Sequence, residues 1–410
     1  MAAGCSTICL PISKDDYLSL IDSPEQFRCW LDTAFRDCPE LFPEAFAHGY
    51  SLKDDRTSAK LGLRLRRVEC KATDQSFTIR PSFVLPYMVG WTDDVERPLF
   101  LRRFGVPFWA LARVFGHDPM YWYRLEVSLG RNSVVGTTVR RAELPQDLVA
   151  DEHHQSHDGE KVYIATVVAQ GCCLGASVAY TCDEAGLTDA YGVFQQETHN
   201  IDPDYSPQTV NTDGWKATRL AWAGLFPLAA VLRCFLHGWL SIRDGCKKHP
   251  SFKALSEKVW HAYHAKDRRA FSQRLRRLHE WAERKLSGEI LERTLRLCSR
   301  AEEYGRAYKH PGGQRTSVML DRVMRSMNGY FVGCQRLHGS EEAVERHARA
   351  WALLYNFTPW GPETLRVNGD WHSPAERLNR HRYHDNWLHN LLVSASLAGC
   401  RHHNDPPQTP

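Results

Sequence analysis

Apolar and polar positions alternate along the chain in two rhythms. The first clear one is "LGLRLRRVECKATDQSFTIR", residues 61–80, where apolar and basic residues alternate on either side of a polar turn. That period of two predicts a β-hairpin whose exposed face carries Arg64, Arg66 and Lys71. Residues 1–60 are weakly patterned except at "SPEQFRCWLDTAFRDC", a helix with Ser23 as N-cap and Glu25 in its acidic first turn. From 99 to 141 the spacing becomes helical, punctuated by Gly105 and Gly116. "PFWALARVFG" opens on Pro107 and closes on Gly116, and "DPMYWYRLEVSLG" opens on Asp118 and Pro119. Two short helices about a tight glycine turn predict a helix-turn-helix. Trp109, Phe115 and Trp122 suit equally a plain helical hairpin packed into a core.

After 144 the pattern changes to strands. "DLVADE" reads as a strand ending at Asp151; 162–169 and 172–180 read as two more, joined at Gln170-Gly171. A helix is predicted at 183–197. Then comes "TVNTDGWKATRLAW", 209–222, in which a short strand ends at Asp213 and Gly214 precedes a helix at 215–225. Pro227 breaks that helix, and "LAAVLRCF", 228–235, reads as a short buried strand. Three antiparallel strands followed by strand–helix alternation predict an α/β sheet of mixed orientation, as in an RNase H-like core. Residues 238–312 are helical, with Leu275, Leu278, Trp281, Ala282 and Leu286 as an apolar stripe beneath a basic surface. "KHPGGQRTSVML" interrupts the helices, which resume through "SEEAVERHARAWALLYNF". The tail is less regular, and its end, "RHHNDPPQTP", is expected to be disordered.

Composition narrows this picture only a little. A chain of 410 residues suggests two or three domains, and 43% hydrophobic with 24% charged residues is ordinary for a globular protein. The net charge of +4 neither requires nor excludes a nucleic-acid partner. Thirteen cysteines with no C-x-x-C pair argue for a reducing compartment without a disulfide framework, Cys172 and Cys173 reading as buried thiols. The first residues lack the basic and apolar regions of a signal peptide. Arg233 and His237 interrupt the apolar run 220–240, and a charge near the centre of a span costs about 2.5–3.5 kcal/mol, so a soluble protein is expected, with no membrane partner.

The candidate chemistry lies in three acids at structural corners: Asp151, Asp213 and Asp321. Turn chemistry alone accounts for an Asp-Gly corner. Three carboxylates gathered in one site, however, suit Mg²⁺, with Mn²⁺ as a substitute, and two such ions activate in-line phosphodiester attack. Glu152 would support the site from the opposite face of the strand. His153, His154 and His157 read as solvated loop histidines. Cys234 and His237 lack a partner pair for zinc and read as a buried thiol and an imidazole at a strand end.

"ADEHHQ", "VNTDGW", "CFLHGW" and "RTSVMLDRVMRSMN" together resemble, in order and context, the DDE/DDD transposases of bacterial insertion sequences, in the branch related to Mutator-like elements. That branch has a C-x-x-H after its second acid, matched by Cys234 to His237, and a helical insertion before its third. The resemblance implies Asp151, Asp213 and Asp321 as catalytic metal ligands, with Glu302 and Glu303 competing for the third place. It implies an N-terminal helical region (1–60), a hairpin and helix-turn-helix (61–143), an RNase H-like core (144–237 and 313–360) around an all-α insertion (238–312), and a C-terminal tail (361–410). It further implies a homo-oligomer in the bacterial cytoplasm acting on double-stranded DNA. Arg124, Arg131, Arg140 and Arg141 near the first helices, and Arg268, Arg269, Arg276 and Arg277 in the insertion, would contact phosphates. The alternatives are an RNase H-like nuclease without strand transfer and a domesticated DNA-binding protein with a dead core.

Overall fold

A computed structural model describes residues 6–59, 61–334 and 337–400. Two mixed sheets organise the chain. The first contains β1 (Thr7–Leu10), β2 (Tyr50–Ser58), β3 (Leu63–Cys70) and β4 (Ser76–Pro81) in the order β1-β4-β3-β2. β3 and β4 are the predicted hairpin, with Arg67 opposite Thr78. β1 runs parallel to β4 and β2 antiparallel to β3, pairings that residues 1–60 gave no sign of. The helix Pro24–Asp37 forms behind Ser23, whose side chain accepts from the Gln26 amide. The hairpin arginines are paired within the protein while staying partly open to solvent. Arg64 pairs with Asp22 and, at 3.3 Å, Asp55; Arg66 donates to the Ile21 carbonyl at 2.5 Å.

The C-terminal segment is not a peripheral tail. Leu388, Leu391 and Leu392, on the helix Trp387–Ser394, are fully buried in one core with Ile8, Phe27, Val68 and Ile79. The Cys9 amide donates to Ser396 Oγ at 3.0 Å, which ties β1 to this segment. Residues 401–410, expected to be disordered, lie outside the described residues, as do 1–5.

The helices Phe108–Phe115 and Pro119–Leu129 form where predicted, about left-handed Gly116 (φ 78°) and His117 (φ 58°). Asp118 caps the second by accepting from the Tyr121 amide at 2.9 Å. The second helix is packed into a core, whereas on the first Trp109 is 64% exposed. Trp122 and the run Leu125–Leu129 are buried, the Trp122 indole donates to the Gly116 carbonyl at 2.9 Å, and the helix Glu341–Phe357 lies against the second helix. Arg124 and Met120 are side chains that this helix leaves at least partly open to solvent.

The second sheet contains β5 (Asp147–His157), β6 (Glu160–Ala169), β7 (Cys172–Ala179), β8 (Thr209–Thr212) and β9 (Ala230–Arg233), in the order β7-β6-β5-β8-β9. β5, β6 and β7 are antiparallel; β8 and β9 run parallel to β5. This is the mixed orientation that the strand pattern predicts. β5 does not end at Asp151, because Asp158 (φ 49°) and Gly159 (φ 91°) make a tight turn that keeps it paired with β6 as far as His157. β9 is a half-exposed edge strand rather than a buried one: Leu232 is buried, but Leu228 just before the strand is 87% exposed.

Each face of this sheet is covered. Leu148 and Ala150 face Tyr191 and Trp222 on the helices Glu184–His199 and Lys216–Leu225. Val149, Ile164 and Val168 face Leu320, Val323 and Met327 on the helix Val318–Gly333. The all-α segment begins at Phe235, three residues earlier than expected, and its helices (Phe235–Cys246, Phe252–Tyr263, Arg268–Lys285 and Gly288–Ser299) have their own core. Leu275, Leu278, Ala282 and Leu286 are buried there, as their spacing predicts. Among the described residues no helix is long and apolar enough to cross a membrane.

Candidate functional site

Strand register brings the acids together. β5 and β8 pair in parallel with Leu148 beside Val210 and Val149 beside Asn211. β8 ends at Thr212, one residue before Asp213, and Asp213 is near enough to act electrostatically on Asp151. β8 and β9 pair with Thr212 beside Arg233, and the Cys234 amide donates to the Thr212 carbonyl at 2.7 Å. Asp151, Asp213 and Cys234 therefore form a row across the sheet. Alternation puts Asp151 on the face of Val149, the one covered by Val318–Gly333, and Asp321 lies in the first turn of that helix.

Asp213 sits in a built corner. Its Oδ1 accepts from the Trp215 amide at 2.6 Å, and Gly214 takes φ 90°, which a residue with a side chain rarely adopts. A Cβ at Gly214 would also strike the Arg233 guanidinium, which donates to Glu303 Oε2 at 2.8 Å. Asp321 Oδ1 accepts from Ser317 Oγ at 3.2 Å, and Cys234 Sγ lies 3.5 Å from the same hydroxyl. His237, in the first turn of Phe235–Cys246, places Nε2 4.0 Å from Asp151 Oδ2.

The electrostatics follow from this crowding. Burial, then the neighbouring Asp213, pushes Asp151 up to about 6; His237 and the Glu152 amide pull it down, and Asp321 adds a smaller upward push. The adjoining Cys234 sulfur, against burial, lifts His237 to about 9, with Asp151 and Asp213 contributing. Burial would raise Cys234, but His237 and Ser317 hold it below the usual thiol range. The two groups thus favour each other's charged forms beside the acids.

Glu152 points to the opposite face, where Tyr191 and Thr218 hydroxyls donate to its Oε1 at 2.8 and 2.9 Å. Burial and Asp151 push it up to about 7. It braces the strand from behind and does not line the row of acids. Its partners Tyr191 and Thr218 carry no motif that sequence reasoning could have used.

Of the competing third acids, Glu303 is engaged with Arg233, which holds its carboxyl below the usual range against the upward push of burial. Glu302 is exposed. Asp321, by contrast, acts electrostatically on Asp151. The histidines lie on β5, not in a loop. Burial, then His154, pushes His153 down to about 4, and His157 Nε2 lies 2.8 Å from the Gly339 carbonyl.

The basic residues divide. Arg140 is not available to DNA: it is 1% exposed and its Nη2 donates to the Ser396 carbonyl at 3.1 Å. Arg141 pairs with Glu40 and donates to the Asp37 carbonyl at 2.8 Å. Arg124 and Arg131 reach solvent, Arg131 lying 5.0 Å from the Tyr87 ring centroid. Arg268, Arg269, Arg276 and Arg277 are exposed on the insertion, Arg276 reaching Glu280 at 3.8 Å.

The donors at Asp151, Asp213 and Asp321 are carboxylate oxygens whose mutual repulsion a hard cation relieves, so the chemistry fits Mg²⁺ or Mn²⁺. Among the described residues no three His, Cys, Asp or Glu side chains stand close enough together to hold a metal ion as they are. The acids thus share a field without forming a closed ligand cage. No protein-family model matches the chain, and no curated protein is similar to it.

Proposed function

We propose that the chain is a DNA transposase of the DDD type with an RNase H-like core. The observation that carries this is the row at the sheet centre. Asp213, from the corner after β8, and Asp321, from the helix that follows an all-α insertion, both act on Asp151 of β5, with Cys234 and His237 alongside. The strand order β7-β6-β5-β8-β9 supports the same reading.

Asp151, Asp213 and Asp321 would hold the metal, drawn together around it. When bound, Mg²⁺ supplies a Lewis acid for the attacking oxygen and neutralises phosphate charge. His237, positive beside Asp151, offsets part of the carboxylate repulsion and fixes the side of the site it occupies. Trp215 and Ser317 orient Asp213 and Asp321 through the hydrogen bonds described. The reaction is attack of water on one phosphodiester at an element end, releasing a 3′-hydroxyl, followed by in-line attack of that hydroxyl on a target phosphodiester, which forms the new bond as the target strand's 3′-oxygen leaves. Exposed Arg268, Arg269 and Arg277 on the insertion would contact phosphates, and pairing of two ends would require more than one copy of the chain.

Strand-transfer assays with pre-cleaved ends test this. Joined products support a transposase, whereas Asp213-dependent cutting without joining reduces it to a nuclease. A DNA-binding protein with an inert core is the second reading, favoured by the absence of a closed ligand cage among the described residues. Metal-dependent cutting of any DNA that Asp213→Asn abolishes would refute it.

A further inference from the structure

The free edge of the second sheet borders a groove of about 690 Å³. Lys216 and Arg219, on the helix that follows Asp213, form one wall; Arg306, Lys309 and His310, at the end of the all-α segment, form the other. Its floor is aliphatic, with Ala230 and Val231 of β9. No acidic and no aromatic residue lines the groove. Glu303 feels Arg219 but pairs directly with Arg233.

Four cations converging in a groove that holds no acid leave a concentrated positive potential, which an anion relieves. The arginine forks match phosphate oxygens, and the lysines serve as point charges. The missing aromatic rings exclude base stacking as the mode of holding, so recognition would follow the backbone and not the sequence. Lys216 opens the helix that follows the Asp213 corner.

We infer that this groove is a phosphate track that holds the backbone of a DNA strand. The inference rests on the function proposed above and specifies where its substrate runs. None of these residues was singled out by motif, because their walls are about 90 positions apart along the chain.

The test is fluorescence anisotropy on the full chain in EDTA, where cutting is off, with a labelled single strand and its matching duplex, between about 50 and 200 mM salt. The variants are Lys216→Gln with Arg219→Gln, Arg306→Gln with Lys309→Gln, and all four together. Each lost phosphate contact lowers the slope of log K against log salt by about 0.7 for a single strand and about 0.9 for a duplex. The fourfold variant should lose up to about 2.8 from that slope on a single strand or about 3.6 on a duplex, each pair about half. The paired variants, on separate walls, keep the test valid if the fourfold one folds poorly. Wild-type slopes in both pairs would overturn the track. Asp213→Asn cutting as well as wild type would overturn the proposed chemistry instead, whatever the groove variants do.

Discussion

Asp151 offers a test in which stability and function move in opposite directions. In the folded protein its carboxyl is pushed from 3.8 up to about 6, first by burial and then by Asp213. A raised carboxyl favours folding below its unfolded value and loses that contribution as pH rises through its folded value. The cost of the charge is therefore absent below about pH 3.8, grows between there and about 6, and is full at pH 8. The difference between 3.8 and about 6 corresponds to about 3 kcal/mol, at about 1.36 kcal/mol for each tenfold change in proton affinity. The side chain is only 17% exposed, so solvent screening removes little of this. Asp151→Asn keeps the Oδ1 that accepts from the Glu152 amide at 2.9 Å and removes the charge. It should stabilise the metal-free protein at pH 8 by up to about 3 kcal/mol. Unfolding entropy near 2.1 cal/mol/K per residue gives about 0.9 kcal/mol/K for 410 residues, or a rise in Tm of about 3 °C. The measurement is differential scanning calorimetry in EDTA at pH 8 and pH 4. The gain should vanish at pH 4, and added Mg²⁺ should raise the Tm of wild type more than that of the variant. An Asn variant that is less stable at pH 8, or equally more stable at both pH values, would refute the crowding of charge inferred at this site.

Other consequences follow from the same packing. Asp213→Asn should lower metal-dependent cleavage at least about a hundredfold, read on labelled duplex, while anisotropy shows DNA binding retained. Glu126 is fully buried between Arg102 (Nε to Oε2, 2.5 Å), His347 (3.1 Å) and the Tyr330 hydroxyl. Glu126→Ala leaves two buried cations without their counter-charge and should cost about 3–5 kcal/mol in urea unfolding. Arg102→Met with Glu126→Leu should recover most of that loss. Gly136→Ala would drive a methyl into the Gly399 carbonyl oxygen, so it should loosen the C-terminal segment and raise amide exchange at Ser396 to Gly399.

How much was legible in the sequence depended on how local the cause is. The helix behind Ser23, the turn at Gln170-Gly171 and the stripe through Leu275 and Leu278 are set by neighbours a few residues away, and their signals are strong. The end of β5 was misplaced because His153, His154 and Gln155 look like loop residues. The Asp158-Gly159 pair, a hairpin signature in its own right, could have corrected that. The seating of Leu388 and Leu391 against Ile8 and Ile79 was out of reach, since nothing local distinguishes that apolar helix from one packed elsewhere. The arginines failed for the same reason. Arg140 and Arg141 are adjacent and basic, yet one is enclosed by Ser396 and the other held by Glu40, partners about 256 and 101 positions away.

The acids show where local and distant causes meet. Each corner was visible, since Asp213 ends a strand before a glycine and Asp321 opens a helix. What makes them a site is a register, and register is enforced by burial. Leu148 and Val210 share one apolar face, while Val149 and Asn211 share the other, where Asn211 donates to the Gln314 carbonyl at 2.8 Å. A slip of one residue between β5 and β8 would bury Asn211 among the aliphatic side chains facing Tyr191 and strip it of that partner. It would also bring Asp213 alongside Glu152, on the face already closed by helices. The packing that disfavours the slip therefore keeps Asp151 on the face covered by the helix that carries Asp321, so the hydrophobic core positions the acids.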